Sequence, residues 1–269
     1  MSKTIAIAGM GWLGQPLASH LSVLGFQVRG SVTNLKKAIT FKKQGLDVHQ
    51  IVISEGGVQG GISKFLDDVD CLVVMIPPGL RRNTGSDFVL KMTHLLREIV
   101  AAGVKKVVLV SSISVYGNLQ GTVNEKDIPK PEGESGRQLY QVEQLFFNTE
   151  ELQTTIVRFG GLFGGSRQPV RYLSGRTGLR GGNAPVNLIH RNDCIGILSE
   201  IIKQDAFGHI FNAVVPHHPT KSIYYQQRAK TLNLEPPQFL SEAEDVFKTV
   251  NSTQLDAILN YAFKVDTLY

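Results

Sequence analysis

Short apolar runs alternate with longer amphipathic stretches along the first 160 residues of this 269-residue chain. Two runs, Cys71–Ile76 and Val107–Val110, are continuously apolar, which is typical of parallel strands buried on both faces. Strands that alternate with helices usually form a parallel sheet. The pattern predicts strands at Thr4–Ala8, from Gln27, and at Asp47–Ile53, Cys71–Ile76, Lys106–Val110 and Thr154–Phe159. It predicts helices at Leu13–Leu24 and Asp87–Ala102.

The pattern changes after Gly160. Residues 160–182 hold eight glycines with arginines between them, and a long irregular segment of this kind is more often functional than filler. Shorter elements follow. They are predicted as helices at Asp193–Ile202, Ser222–Leu232 and Ser252–Tyr261 and as a strand at Ile210–Val214.

Three glycines follow the first predicted strand and open the first predicted helix. Gly9 permits a tight turn, Gly11 allows the backbone to approach a diphosphate, and Gly14 allows the helix to pack closely on the strand. An anion at this place meets free N–H groups at the positive end of the helix. The spacing predicts dinucleotide binding by Gly9, Met10, Gly11, Trp12, Leu13 and Gly14. A glycine-rich turn without a ligand is the alternative.

The end of the second predicted strand bears on the choice of cofactor. NAD-binding proteins usually place an acid there for the ribose hydroxyls, whereas this chain has no acid between Val28 and Asp47. Hydroxyls, an amide and two lysines suit a 2′-phosphate better, so we expect NADP rather than NAD, with contacts from Ser31, Thr33 and Asn34. The alternative is that Lys36 and Lys37 only cover the surface of a helix.

These observations predict an α/β protein with a Rossmann-type doubly wound parallel sheet and a small C-terminal α/β substrate-binding cap. We expect residues 1–160 to form the dinucleotide-binding domain and residues 161–269 mainly the cap. The helix and strand near residues 191–214 are expected to pack back onto the first domain.

Positive charge is concentrated in one segment. Leu152–Asn192 contains six arginines and no aspartate, glutamate or lysine. Guanidinium groups match the geometry of phosphates and carboxylates, so the segment indicates a wall that recognises an anion, with a solvated basic loop as the alternative. No nucleic-acid-binding motif or aromatic interleaving accompanies the arginines, so we expect no nucleic-acid partner.

Cysteine usage and hydropathy indicate the compartment. Cys71 and Cys194 lie far apart and form no C-x-x-C pair, which favours a reducing environment without disulfides or zinc. His217–His218 has no identifiable third ligand, so no metal is expected. No apolar run reaches the roughly 18 residues that span a bilayer, and the N-terminus does not read as a signal peptide. We expect a cytoplasmic protein that does not associate with membranes.

A family resemblance enters at Ser111–Gly117 and continues through Arg158–Gly164, Val186–Asp193 and His209–Asn212. These ordered segments resemble the extended short-chain dehydrogenase/reductases of the NAD-dependent epimerase/dehydratase family, over nearly the whole chain. The resemblance implies that Ser112 orients the substrate oxygen. It implies cofactor contacts from Ile76, Pro77, Pro78, Ser111 and Phe159, and substrate contacts from Ser112, Tyr116, Arg167, Arg171, Asn187 and His190.

The chain departs from this family at the residues that transfer the proton. Relatives use Tyr-x-x-x-Lys, with both side chains on one face of a helix, and the most natural register places Ser135 and Leu139 at these positions. Leucine cannot bind ribose hydroxyls or lower the pKa of a tyrosine. A shifted register makes Tyr140 the catalytic acid, with Gln144 at the lysine position.

The resemblance implies an oxidoreductase or epimerase-like protein that acts on a small anionic, sugar- or nucleotide-linked substrate and forms a homodimer. The degenerate pair leaves a second hypothesis, a non-catalytic dinucleotide-binding sensor or scaffold. The glycine turn is also similar to that of β-hydroxyacid dehydrogenases, which need a large all-helical C-terminal domain.

Overall fold

The computed structural model describes residues 2–79, 85–240, 247–265 and 268. Its strands are β1 Thr4–Ala8, β2 Gln27–Val32, β3 Asp47–Ser54, β4 Gly57–Gly60, β5 Cys71–Val74, β6 Lys106–Ser112, β7 Thr122–Val123, β8 Gln153–Phe159, β9 Gly161–Phe163, β10 Leu188–His190, β11 Ile210–Ala213 and β12 Thr249–Val250. Its helices are α1 Gly14–Val23, α2 Leu35–Lys43, α3 Ile62–Leu66, α4 Phe88–Ala101, α5 Glu134–Phe147, α6 Arg191–Lys203, α7 Lys221–Thr231 and α8 Gln254–Leu259.

The central sheet of the described residues has eight strands in the order β11-β8-β6-β5-β1-β2-β3-β4. All neighbours are parallel except β3 and β4, which pair in antiparallel register with Ser54 opposite Gly57. The strand order reverses direction at β1, which is the topological switch point where Rossmann-type sheets bind their ligands. The predicted doubly wound parallel sheet is therefore confirmed.

Alternating residues of the strands face two separate cores, because successive side chains of a strand point to opposite faces. In β1, Ile5 and Ile7 belong to one core and Ala6 and Ala8 to the other. The first core is closed by α1, α2, α6 and α8. The second is closed by α3, α4 and α5.

Part of the C-terminal region belongs to these same layers. Strand β11 extends the sheet beside β8, and α6 contributes Cys194 and Ile197 to the core that contains α1. A smaller apolar cluster lies outside the sheet. It consists of Phe163, Val186, Leu188, Val215, Tyr224 and Leu268. The division of the chain into two domains at residue 160 stays a prediction.

The structure also decides one alternative. The region after Gly160 contains the parallel pair β9–β10 as well as β11 and β12, so it is not the all-helical domain of a β-hydroxyacid dehydrogenase. The last helix is shorter than predicted because Asn260 adopts a left-handed conformation and ends it. Among the described residues, no helix is both long enough and apolar enough to cross a membrane.

Candidate functional site

The turn between β1 and α1 uses its three glycines for three different purposes. Gly9 has a positive φ of 116°, a conformation that strongly favours glycine. A Cβ at Gly14 would overlap the carbonyl oxygen of Gly9, so the absence of a side chain lets α1 begin against the turn. A Cβ at Gly11 would meet no atom within 4 Å, so this glycine faces open space.

A groove of about 270 Å³ runs from this turn across the ends of β2 and β5. It is lined by Gly9, Met10, Gly11, Ser31, Val32, Thr33, Asn34, Lys37, Ile51, Ile53, Met75, Ile76 and Pro77. The turn is tied to β2 by a hydrogen bond from the Met10 amide to the Ser31 carbonyl, 2.8 Å long. Eight of the residues expected to bind the cofactor are thus brought together in one place.

Lys37 is the charged residue of this groove. Its Nζ donates to the Met10 carbonyl oxygen over 3.1 Å, which holds an ammonium between the glycine turn and the end of β2. Helix α2 begins after Asn34, whose side chain caps the helix by accepting from the Lys37 amide. The sequence predicted Lys36 and Lys37 together as cations that suit a 2′-phosphate, and Lys37 is the one that lines the groove. Lys37 lies in the first turn of α2, after the capping residue Asn34. This position allows its side chain to reach back to the glycine turn between β1 and α1.

Ile51, Ile53 and Met75 also line the groove and were missed. Because these residues are apolar, the sequence pattern predicts them only as core. The strand order shows that β3, next to β2, and the residue after β5 reach the groove. The remaining expected cofactor residues lie around the groove or away from it. Trp12, Leu13 and Gly14 continue the turn into α1, Pro78 follows the groove residue Pro77, and Ser111 and Phe159 are buried at the ends of β6 and β8.

Ser112 ends β6 and caps a short 3₁₀ turn at Ile113–Val115. Its Oγ accepts from the Ser114 amide at 3.2 Å, and the hydroxyl donates to no described residue. Helix α5 packs directly on this turn, because a Cβ at Gly136 would overlap the Ser114 carbonyl oxygen. The serine expected to orient a substrate therefore lies between β6 and α5.

Helix α5 carries the positions of the family's Tyr-x-x-x-Lys pair. Leu139, at the lysine position, is buried in the second core. Ser135 and Tyr140 are both half-buried, and Tyr140 packs against the same apolar core as Leu139. In the register predicted from the sequence, the lysine position is therefore taken by a packed leucine.

Tyr116 lies in the interior and is not among the residues that line the groove. Its side chain is 1% exposed, and its hydroxyl donates to the carbonyl of Asn124 at 3.0 Å or the side chain of Asn212 at 3.2 Å. The Arg158 guanidinium donates to the same hydroxyl over 2.7 Å. Burial raises the pKa of Tyr116, against the opposing charge of Arg158. The structure thus places the Tyr116 hydroxyl in a buried polar network, and the expected contact of Tyr116 with the substrate stays a prediction.

Comparisons with known proteins agree with this geometry. Residues 9–202 match the model of a family described as NAD(P)H-binding. Protein YeeZ of Escherichia coli K12 is 36% identical over 239 residues, which cover 88% of this chain and 86% of that protein. This chain belongs to the NAD(P)H-binding family. It is a homologue of Protein YeeZ.

Two solved structures show the same fold. UDP-glucose 4-epimerase of Thermotoga maritima, solved with UDP-glucose, has a TM-score of 0.80 at 16% identity and matches 98% of this chain and 96% of its own. UDP-glucuronic acid 4-epimerase of Bacillus cereus, solved with NAD, has a TM-score of 0.78 at 19% identity, with 98% and 94% matched. As expected, this NAD(P)H-binding family member has the fold of the epimerase/dehydratase proteins.

A second pocket, of about 280 Å³, begins next to Ser112. It is lined by Ile113, Asn118, Ala184, Pro185, Val186, Asn187, Leu188, Lys221, Tyr225, Phe247 and Lys248. The Lys248 ammonium donates to the Ile113 carbonyl at 3.0 Å and also to that of Tyr116. Burial lowers the pKa of Lys248. The pocket thus carries two lysines, Lys221 and Lys248, from segments that sequence reasoning did not single out.

Asn187 and His190 both make hydrogen bonds that stabilise the elements near this pocket. The side-chain amide of Asn187 donates from Nδ2 to the Lys248 carbonyl and accepts at Oδ1 from the backbone amide of Val250. Asn187 therefore holds β12 in place. His190 caps α6 by accepting from the Asn192 amide at 3.2 Å, and its ring lies edge-on to Phe163. Burial lowers the pKa of His190, which favours the neutral ring that a cap requires.

The two arginines expected to bind substrate lie in different surroundings. Arg167 is half-buried, and its guanidinium carbon lies 5.6 Å from the centre of the Trp12 ring. Arg171, in a 3₁₀ turn at Pro169–Tyr172, is exposed. Arg167 therefore adjoins the glycine turn, and Arg171 faces solvent.

Proposed function

We propose that this protein binds NADP(H) in preference to NAD(H) along the groove, and acts as an oxidoreductase or epimerase-like enzyme on a small anionic substrate. The observation that carries the proposal is the pairing of an open glycine turn with Lys37. Gly11 leaves room for a diphosphate, and the Lys37 ammonium lies beside Met10 where the groove leaves the turn.

The preference for NADP is supported by charge. Ser31, Thr33, Asn34 and Lys37 form the groove wall at the end of β2, and no carboxylate is among the groove's lining residues. Carboxylates at this place accept from ribose hydroxyls, whereas an ammonium and hydroxyl groups attract a 2′-phosphate. The bound dinucleotide would supply hydride transfer, and the protein's residues would position it.

The substrate is proposed to lie in the pocket beside Ser112. Lys221 and Lys248 give this pocket a positive charge, and sugar- or nucleotide-linked anions satisfy such a charge. The Ser112 hydroxyl can donate to a substrate oxygen, because its oxygen accepts from the Ser114 amide and its proton is donated to no described residue. In this proposal the chemistry proceeds without the Tyr-x-x-x-Lys pair, because Leu139 is buried at the lysine position.

A buried leucine at the lysine position also favours a second function, a non-catalytic sensor or scaffold that binds a dinucleotide. Ser112→Ala distinguishes the two functions in a screen of sugar- and nucleotide-linked anions with NADPH or NADP. An enzyme loses rate while its cofactor affinity stays within about twofold of wild type. A sensor shows no turnover in either protein.

Calorimetric titration with NADPH, NADP, NADH and NAD tests the cofactor. Removing one charge-assisted contact in Lys37→Met should weaken NADPH binding about tenfold, with little change for NADH. Lys36→Met is the matched control, because Lys36 is the exposed neighbour outside the groove. Equal affinity of the wild type for NADH and NADPH would contradict the NADP preference, and absence of binding by all four would contradict the proposed groove.

A further inference from the structure

Trp12 is the single tryptophan of the sequence and follows Gly11 in the phosphate-binding turn. Two guanidinium groups lie over its ring, with the carbon of Arg167 at 5.6 Å and that of Arg191 at 5.3 Å from the ring centre. Both distances are within the range of cation–π attraction. The indole thus holds two cations next to the start of α1.

No acidic partner neutralises these cations in the described part of the chain. The nearest acid in sequence, Asp193, is buried and accepts from the Tyr261 hydroxyl and from the Lys264 and Val265 amides. Arg228 adds a third guanidinium, which contacts the side chain of Gln168 at 3.4 Å. Arg191 and Arg228 also act on His190. Burial has the largest effect and lowers the pKa of His190, and the charge of Asp193 opposes it. The charges of Arg191 and Arg228 lower this pKa further.

The arrangement also leaves hydrogen-bond donors unused. Trp12 Nε1 and Arg191 Nε are both buried without a partner among the described residues. The Arg191 guanidinium is pressed against the backbone at Gly165, where a Cβ would lie 2.7 Å from Nη2. Buried donors in native structures are almost always paired, so unpaired ones call for an explanation.

Two helices begin at this place. Arg191 is the first residue of α6, and Trp12 comes two residues before α1. The N-terminal ends of helices carry partial positive charge, which adds to that of the guanidinium groups. Guanidinium groups bind phosphate through paired N–H donors, so the chemistry that fits the cluster is a phosphoryl anion.

We propose that Arg167 and Arg191, held on Trp12, bind a phosphoryl anion beside the glycine turn. The anion is either the diphosphate of the dinucleotide or a phosphoryl group of the substrate. The inference rests on the cofactor groove proposed above, which supplies the opposite side of the turn through Lys37.

The test uses the fluorescence of Trp12 during titration with ADP-ribose, repeated at rising KCl. Arg167→Met and Arg191→Met keep the apolar part of each side chain and remove its charge. Each should raise the Kd for ADP-ribose about tenfold, as expected for loss of a charge-assisted contact, and should flatten its dependence on salt. Arg176→Met is the matched control from the same segment, because Arg176 is exposed, and its Kd should stay within about twofold of wild type. Circular dichroism establishes that each variant is folded, and Arg191→Lys should restore part of the affinity.

A second arm separates the two sources of the anion. Inorganic phosphate is titrated into protein saturated with NADPH. If Arg167→Met and Arg191→Met weaken phosphate binding here but leave ADP-ribose binding unchanged, the anion belongs to the substrate. Folded variants that bind both ADP-ribose and phosphate as tightly as wild type would overturn the inference. If the wild type binds neither ADP-ribose nor NADPH, the proposed cofactor groove fails, and phosphate binding to the free protein still tests the two arginines.

Discussion

Arg158 and Glu143 form an ion pair in the interior, with side chains 2% and 0% exposed. Arg158 donates from Nε to Glu143 Oε1 at 3.0 Å and from Nη2 to Oε2 at 2.6 Å, and its Nη1 reaches Tyr116. A buried pair of this kind survives only because each charge is matched and hydrogen-bonded. Arg158 lies in the sequence motif that resembles the epimerase family, and its hydrogen bonds to Glu143 and Tyr116 stabilise the interior of the protein.

Glu143→Gln should lower the free energy of unfolding by about 3–5 kcal/mol, because it leaves the buried Arg158 charge without a counterion. Urea denaturation measures the change. The double variant Glu143→Leu/Arg158→Met should recover most of the stability, since apolar residues of similar volume can replace a buried pair. A Glu143→Gln protein as stable as wild type would show that Arg158 is neutralised in another way.

Cys71 and Cys194 are both buried free thiols. Burial raises the pKa of Cys71 from 9.0 to about 12, and burial also raises that of Cys194. Both should resist a thiol-specific reagent at pH 8 in the native protein and react on unfolding. Because the folded pKa lies above the unfolded one, the contribution to stability is complete below pH 9 and is lost as the pH rises from 9 to about 12. Rapid labelling of the native protein at pH 8 would contradict this.

At the scale of elements, the close packing of α1 against the glycine turn determines which glycines the fold requires. Gly14 is required by packing, since a Cβ there would overlap the backbone of Gly9. Gly11 is not required by packing, since a Cβ there would meet no atom within 4 Å. One glycine therefore belongs to the fold, and the other is free for function.

This difference separates two substitutions. Gly14→Ala should cost about 1–3 kcal/mol of stability through overpacking. Gly11→Ala should leave stability within about 0.5 kcal/mol of wild type and weaken NADPH binding at least about tenfold, because its methyl group takes the room of the diphosphate. Thermal unfolding and calorimetry measure the two effects. Equal NADPH affinity in Gly11→Ala and wild type would argue against a diphosphate at the turn.

At the scale of the whole molecule, two buried carboxylates join the C-terminal segment to the sheet. Glu125 accepts from the Asn212 amide in β11 and from the Thr253 and Gln254 amides at the start of α8. Asp193, in the first turn of α6, accepts from the Lys264 and Val265 amides, and His190 takes the capping position. The tail is therefore fastened by side chains that are distant in sequence.

Glu125→Ala should cost about 3 kcal/mol, because several buried amides lose their acceptor at about 1–3 kcal/mol each. The loss should be local, so hydrogen exchange should rise first at Thr253 and Gln254 and later in β6. Exposed Glu151→Ala is the control and should stay within about 0.5 kcal/mol of wild type. Uniform acceleration of exchange across the molecule would show that Glu125 stabilises the whole sheet instead.

Sequence reasoning placed most strands of the sheet closely, because buried parallel strands are apolar runs set by local pattern. It missed β4, a short glycine-bounded edge strand, and also β7, β9 and β12, whose few residues carry no periodicity. For the candidate site it brought together Gly9, Gly11 and Ser31. Lys37 and Lys248 acquire their places only through contacts with Met10 and Ile113.

Neighbouring residues alone specify the order of strands and helices, the glycine turn and the concentration of arginines, so these features could be predicted from the sequence. Only the tertiary structure decided what the polar residues do. Tyr116 accepts a hydrogen bond from Arg158 in the interior, and Asn187 lines the pocket beside Ser112 and also donates to the Lys248 carbonyl. Trp12 contacts two arginines from beyond residue 160. The contacts of these residues depend on burial and on hydrogen bonds between distant parts of the sequence, and both arise only when the chain has packed.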